Sequence, residues 1–223
     1  MPRPAEPAAS LVERVSLWNR AHKLRLFFET IQPDAETTVV DVGVGDTGFS
    51  TGRGAARTHN YFEAMYPWPE RLTAVSDVGL SNFAAEFPSI RCVTADGRDL
   101  PFPDDAFDVA VSNAVVEHVG ELADQRAFVH ELCRVARRVF VSTPNRWFPV
   151  EVHTLVPFVH WLPRRPRDTI FEVLRRENWR GVELLGPHGL LGLFPDGVDA
   201  RTLERRLTIT VVAVRRGWTP TSA

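Results

Sequence analysis

A strand-like run, Val39-Val40-Asp41-Val42, leads into Gly43-Val44-Gly45-Asp46-Thr47-Gly48, three glycines within six positions. Glycine reaches φ/ψ values closed to other residues and lets a ligand approach the backbone, so a buried parallel strand ending in this turn suits a nucleotide. Gly43-x-Gly45-x-x-Gly48 also fits the dinucleotide fingerprint, which alone leaves open which adenosine-bearing ligand is held. Two more apolar runs end in acids, Leu72–Ser76 at Asp77 and Ile90–Thr94 at Asp96-Gly97. A fourth, Phe107–Ser112, ends at Asn113-Ala114, with His118 just beyond. An unperturbed imidazole titrates near neutrality, so His118, His153 or His160 could take a proton from a substrate, or each could be structural.

The elements that must position these residues read as an α/β alternation. Ser10 to about Ile31 is an amphipathic helix, with Leu11, Val15, Trp18, Ala21, Leu24 and Phe28 on its apolar stripe. Ser10 and Glu13 form a capping-box pattern, and Pro33 stops the helix. Strands are expected at 37–41, 72–76, 90–94, 107–112, 139–142 and 207–214. Helices are expected near 57–65, 80–86, 121–136, 168–178 and 187–194. The pattern predicts a Rossmann-like, doubly wound, mostly parallel seven-stranded sheet with an antiparallel edge strand and helices on both faces. Ligands in such sheets bind at the carboxyl ends of the strands, where the acids and glycines fall.

The 223 residues suffice for one large domain, expected over 10–217 between short tails at 1–9 and 218–223. A formal charge of -2 gives no electrostatic reason to expect nucleic acid as the main partner. Cys92 and Cys133 lie in apolar runs and read as buried free thiols, and no Cys/His cluster has zinc spacing. Residues 1–9 have no apolar core behind a charged start, and no run approaches the roughly 20 apolar residues of a membrane span, so a cytoplasmic location is expected. The arginine runs at 164–167 and 175–180 read as solvated faces, with contact to acidic lipid or phosphate as the alternative. Oligomeric state is not legible.

The strand-one turn resembles motif I of the class I S-adenosylmethionine-dependent methyltransferases. Ser76-Asp77 resembles that family's acid on the ribose hydroxyls, a task suited to a carboxylate because it accepts two hydrogen bonds and donates none. Asp96-Gly97 resembles the acid that meets the adenine amine. Leu100-Pro101-Phe102-Pro103-Asp104-Asp105-Ala106-Phe107-Asp108 and the following stretch to Val119 resemble the family's link from strand three through strand four. Together these motifs span roughly 37–142. The turn departs from the family by having both Asp46 and Thr47 between its second and third glycines. Residues 143–163, with Tyr66-Pro67-Trp68-Pro69-Glu70, resemble a poorly characterised bacterial subgroup, and 144–166 reads as a substrate wall or lid.

The resemblance implies S-adenosylmethionine as cofactor, held by Asp41, Gly43, Gly45, Asp46, Asp77, Asp96, Gly97, Asn113 and Ala114. Asp46 is read either against the ligand's ammonium or as a turn residue. The expected reaction is methyl transfer, with O-methylation expected, to a small-molecule, glycan or lipid-linked acceptor, with His118 or His153 as base if the acceptor is an alcohol. The competing readings are an NAD-dependent oxidoreductase and a non-catalytic methyltransferase-like binding subunit. The first explains the glycine turn but not Asp96 and its Leu-Pro-Phe-Pro tail.

Overall fold

A computed structural model describes residues 11–47, 59–149, 158–174 and 182–217. Helix α1 (Leu11–Ile31) precedes β1 (Val39–Val42), α2 (Tyr61–Met65), β2 (Leu72–Ser76), α3 (Ser81–Glu86) and β3 (Arg91–Thr94). Strand β4 (Phe107–Asn113), α4 (Leu122–Val135) and β5 (Ala136–Pro144) follow, then α5 (Arg164–Val173), α6 (Pro187–Leu191), β6 (Val198–Arg205) and β7 (Thr208–Arg215). The strands form one sheet in the order β3-β2-β1-β4-β5-β7-β6. The pairs among β1 to β5 are parallel, and β7 is antiparallel to both β5 and β6. The chain reverses its winding between β1 and β4, so the switch point lies beneath the glycine turn.

The seven-stranded α/β expectation holds, with two refinements. The antiparallel strand β7 is internal, and the edge is β6, a strand whose sequence Val-Asp-Ala-Arg-Thr-Leu-Glu-Arg is too charged to announce itself. Helix α5 starts four residues before its expected position. The capping box at Ser10 lies outside the described residues.

Strand periodicity sorts the core into two layers. Val40, Val42, Ala110 and Val141 pack with Phe128 and Leu132 of α4 on one face. Val39, Val109, Val111 and Phe140 pack with Phe27 and Ile31 of α1 and Phe83 of α3 on the other. Asp41 alternates with Val40 and Val42, and Asn113 follows Val111 by two, so both belong to the α1 face.

Helix α1 docks along a different stripe from the one its apolar residues suggest. Its buried residues are Asn19, Lys23, Phe27 and Ile31, spaced four apart, whereas Trp18 is exposed. Phe27 sits edge-on to Phe62 and Phe140, anchoring the C-terminal half. The same line turns polar at Asn19 and Lys23, as it runs from the core toward the strand ends.

Candidate active site

The turn after β1 is shaped by packing as much as by any ligand. Gly43 has φ +103°, and a Cβ there would lie 2.2 Å from a methyl of Val115. Its N–H and that of Val44 donate to Val75 O on β2. Asn60, immediately before α2, donates from its side-chain amide to the carbonyls of Gly45 and Thr47 and so pins the turn from above. Gly97 is close-packed in the same way, where a Cβ would meet the Phe128 ring at 2.5 Å. Ala114 has φ +58°, an uncommon conformation for alanine, and its N–H donates to Ser142 O at 2.7 Å.

These features surround a cavity of about 420 Å³ at the carboxyl ends of β1, β2 and β4. Gly43, Gly45, Asp77, Asp96, Gly97 and Ala114 all line it, and so does His118. Val78, Val119 and Phe128 supply apolar wall. Six expected cofactor residues and one expected base thus converge from four segments. Asp96 is ion-paired with Arg98 at 2.7 Å, and Arg98 also reaches Asp124 on α4. Hydrogen bonds from Arg98 hold the Asp96 carboxyl below its ordinary range, so it stays an anionic acceptor.

A second cavity of about 360 Å³ adjoins the first and shares Gly43, Gly45, Ala114 and His118 with it. Asp41, Asn113, His59, Asn60, Arg20 of α1 and Tyr61 and Glu63 of α2 are also part of its lining. Burial drives Asp41 well above the usual carboxylate range, and the Glu63 charge adds to the effect. Burial likewise pushes Glu63 up to about 7, opposed by Arg20. Two interior acids with a raised affinity for protons, one cation and open polar space mark a site rather than a core.

Asp46 departs from the cofactor-facing expectation. Its carboxylate accepts the backbone N–H groups of Asn82 and Phe83 and the Asn82 amide, and it lines neither cavity. The exposed N–H groups at the start of a helix attract an acid, and α3 begins within reach. Gly48 and His153 lie outside the described residues. His160 is buried beside the Phe171 ring, as a structural histidine would be. His118 is exposed on one side, with Nε2 4.0 Å from Glu117, which accepts a hydrogen bond from Thr143 at 2.8 Å. Sequence reading missed Arg20, Lys23, Asn60 and Glu63. Each sits in a helix or turn with no local mark of burial.

Residues 40–139 match the family described as Methyltransferase domain. Over this segment, less than half of the chain, the match supports a class I S-adenosylmethionine-dependent methyltransferase. A "Probable S-adenosylmethionine-dependent methyltransferase" of Mycobacterium tuberculosis is 37% identical over 73 residues, covering 31% of this chain. The chain matches only 26% of that relative's length. Among solved structures, a S-adenosylmethionine-dependent methyltransferase of Thermotoga maritima, described as a possible histamine N-methyltransferase, aligns with TM-score 0.60 at 12% identity, over 92% of both chains. A methyltransferase of Aquifex aeolicus aligns with TM-score 0.53 at 18% identity, over 91% of this chain and 93% of its own. At such identities these methyltransferases share the fold. S-adenosylmethionine is the family's cofactor, and the dinucleotide reading of the glycine turn gives way to it. The larger cavity fits an adenosine: glycine edges on one side, two carboxylates at the strand ends and an apolar wall between.

Proposed function

We propose that the protein transfers a methyl group from S-adenosylmethionine to a hydroxyl of a small-molecule, glycan or lipid-linked acceptor. One observation carries the reading: the cavity ringed by Gly43, Gly45, Asp77 and Asp96 shares Gly43, Gly45, Ala114 and His118 with the polar cavity of Asp41, Glu63 and Asn113. Donor and acceptor would therefore meet at Asn113-Ala114. When bound, the cofactor supplies an already activated sulfonium methyl. The chain has mainly to hold the acceptor oxygen in line with it and keep water out.

In this reading Asp77 accepts from the ribose hydroxyls and Asp96 from the adenine amine. Gly43, Gly45 and Gly97 hold the wall close, and Asn113 and Ala114 present the methyl-transfer face. Asp41 stands at the border of donor and acceptor. His118 borders both cavities, while His153 keeps its proposed place as an alternative base on the segment after β5. The hydroxyl-rich classes are favoured because Asn60, Tyr61, Glu63 and His59 make the second cavity polar. The exposed Trp147, Phe158 and Trp161 beyond β5 would suit a lipid-linked acceptor at a membrane surface. Among the described residues no helix is long and apolar enough to cross a membrane.

Calorimetric titration with S-adenosylmethionine, S-adenosylhomocysteine and NAD in parallel tests the reading. Micromolar binding of the two sulfur ligands and not of NAD is expected. Binding of NAD alone would restore the oxidoreductase reading, and silence from all three would favour a non-catalytic subunit.

A further inference from the structure

The chain holds 25 arginines and a single lysine, Lys23. That lysine is 8% exposed and lies on the inward stripe of α1, one turn before Phe27. Its Nζ donates to Asn113 Oδ1 at 2.5 Å, at the end of β4. A small cavity of about 30 Å³, enough for one water, lies against Lys23 and Asn113. It shares Arg20, Tyr61, Phe62 and Asn113 with the acceptor cavity. Apart from the histidines, every other basic side chain is a guanidinium, which keeps its proton in a protein, so the one lysine amine stands behind the methyl-transfer face.

We infer that Lys23 is the proton acceptor of this site and that the atom methylated is a hydroxyl oxygen. The inference rests on the methyl-transfer reading above. As the acceptor oxygen takes the methyl group, its O–H bond breaks and an N–H bond forms on Lys23, directly or through a water for which the small cavity has room. The electron pair of the methyl–sulfur bond stays on sulfur. The neutral amine becomes an ammonium, and Asn113 Oδ1 accepts from it throughout. A neutral amine acceptor would need no such base before attack.

The surroundings favour a neutral amine. Burial is the largest influence, the Arg20 charge on the same helix adds to it, and Glu117 beyond β4 and Glu204 on β6 oppose it, leaving Lys23 lowered to about 7. Glu204 itself accepts from His22 and Thr208, and Glu117 from Thr143. Tyr61 of α2 lines the same small cavity.

Because Lys23 is the only lysine, selective 13C-lysine labelling yields one Cε resonance in the full chain, and its titration needs no acceptor. A midpoint near 7 is expected. A midpoint above about 9, the behaviour of a charged structural lysine, overturns the inference. With catechol as the hydroxyl probe, Lys23→Arg keeps the charge but cannot take the proton, and kcat should fall about 100-fold or more while S-adenosylmethionine affinity is unchanged. Lys23→Gln keeps a donor for Asn113 and should show the same loss. Turnover retained in both variants overturns the inference. Loss of S-adenosylmethionine binding by the parent protein would instead sink the methyl-transfer reading, even with a midpoint near 7.

Discussion

At the scale of single residues, the acids at the strand ends divide their labour. Asp77 is exposed into the larger cavity, and Asp96 shares its charge with Arg98. An ionised carboxylate has about four acceptor positions, so Asp96 retains capacity for a ligand amine beside the Arg98 fork. Asp77→Ala and Asp96→Ala should each weaken S-adenosylmethionine binding about 10- to 100-fold, the worth of a charge-assisted hydrogen bond. Calorimetry measures this, and unchanged affinity in both variants would remove the cofactor from this cavity. Thermal unfolding of Asp96→Ala should stay near that of the parent, because an exposed ion pair contributes little. Glycine plays a double part here: Gly43 and Gly97 are required by Val115 and Phe128 packing against them, whatever the ligand.

At the scale of elements, α1 and α3 show how a helix acquires a function its own sequence does not announce. Half of the α1 stripe, Phe27 and Ile31, docks on the sheet, and that docking fixes where Asn19 and Lys23 arrive. The short α3 is fixed at its start by Asp46, which reaches across from the β1 turn. Asp46→Ala should therefore lower stability by about 1 kcal/mol, as the loss of a helix cap does, and leave S-adenosylmethionine affinity unchanged. Thermal unfolding and calorimetry on one preparation separate the two effects. A large loss of affinity with intact stability would return Asp46 to the cofactor. The Leu100–Asp108 link is equally structural: Arg134 of α4 donates to the carbonyls of Leu100 and Phe102, and Asp108 accepts from Thr38.

At the scale of the whole molecule, the buried acids of the site bear on stability. Glu63 is raised from 4.5 to about 7 in the folded chain. Between those values the unfolded chain releases a proton that the folded chain retains, so stability contributed below pH 4.5 is lost as pH rises through about 7. The loss amounts to about 3 kcal/mol by linkage. Lys23 acts with the opposite sign: lowered from 10.5 to about 7, it contributes stability at high pH that is lost as pH falls toward 7. Calorimetric unfolding temperatures should thus fall between pH 4.5 and 7 in the parent and stay flatter in Glu63→Gln. An equal fall in that variant would exclude Glu63 as the cause.

The sequence by itself determined the sheet and which residues gather at the ends of its strands. Apolar runs ending in Asp41, Asp77, Asp96 and Asn113 are local signals, because a strand's burial and its terminal turn are written in consecutive residues. The strand order then carries Gly43, Gly45, Asp77, Asp96, Gly97 and Ala114 to one cavity. Only the tertiary structure decided the rest. It turned Asp46 toward α3, rotated α1 so that Lys23 faces inward where Trp18 was expected, and buried Glu63 beside Asp41. A side chain's burial and proton affinity depend on which distant element packs over it, and Lys23 and Asn113 are 90 residues apart along the chain.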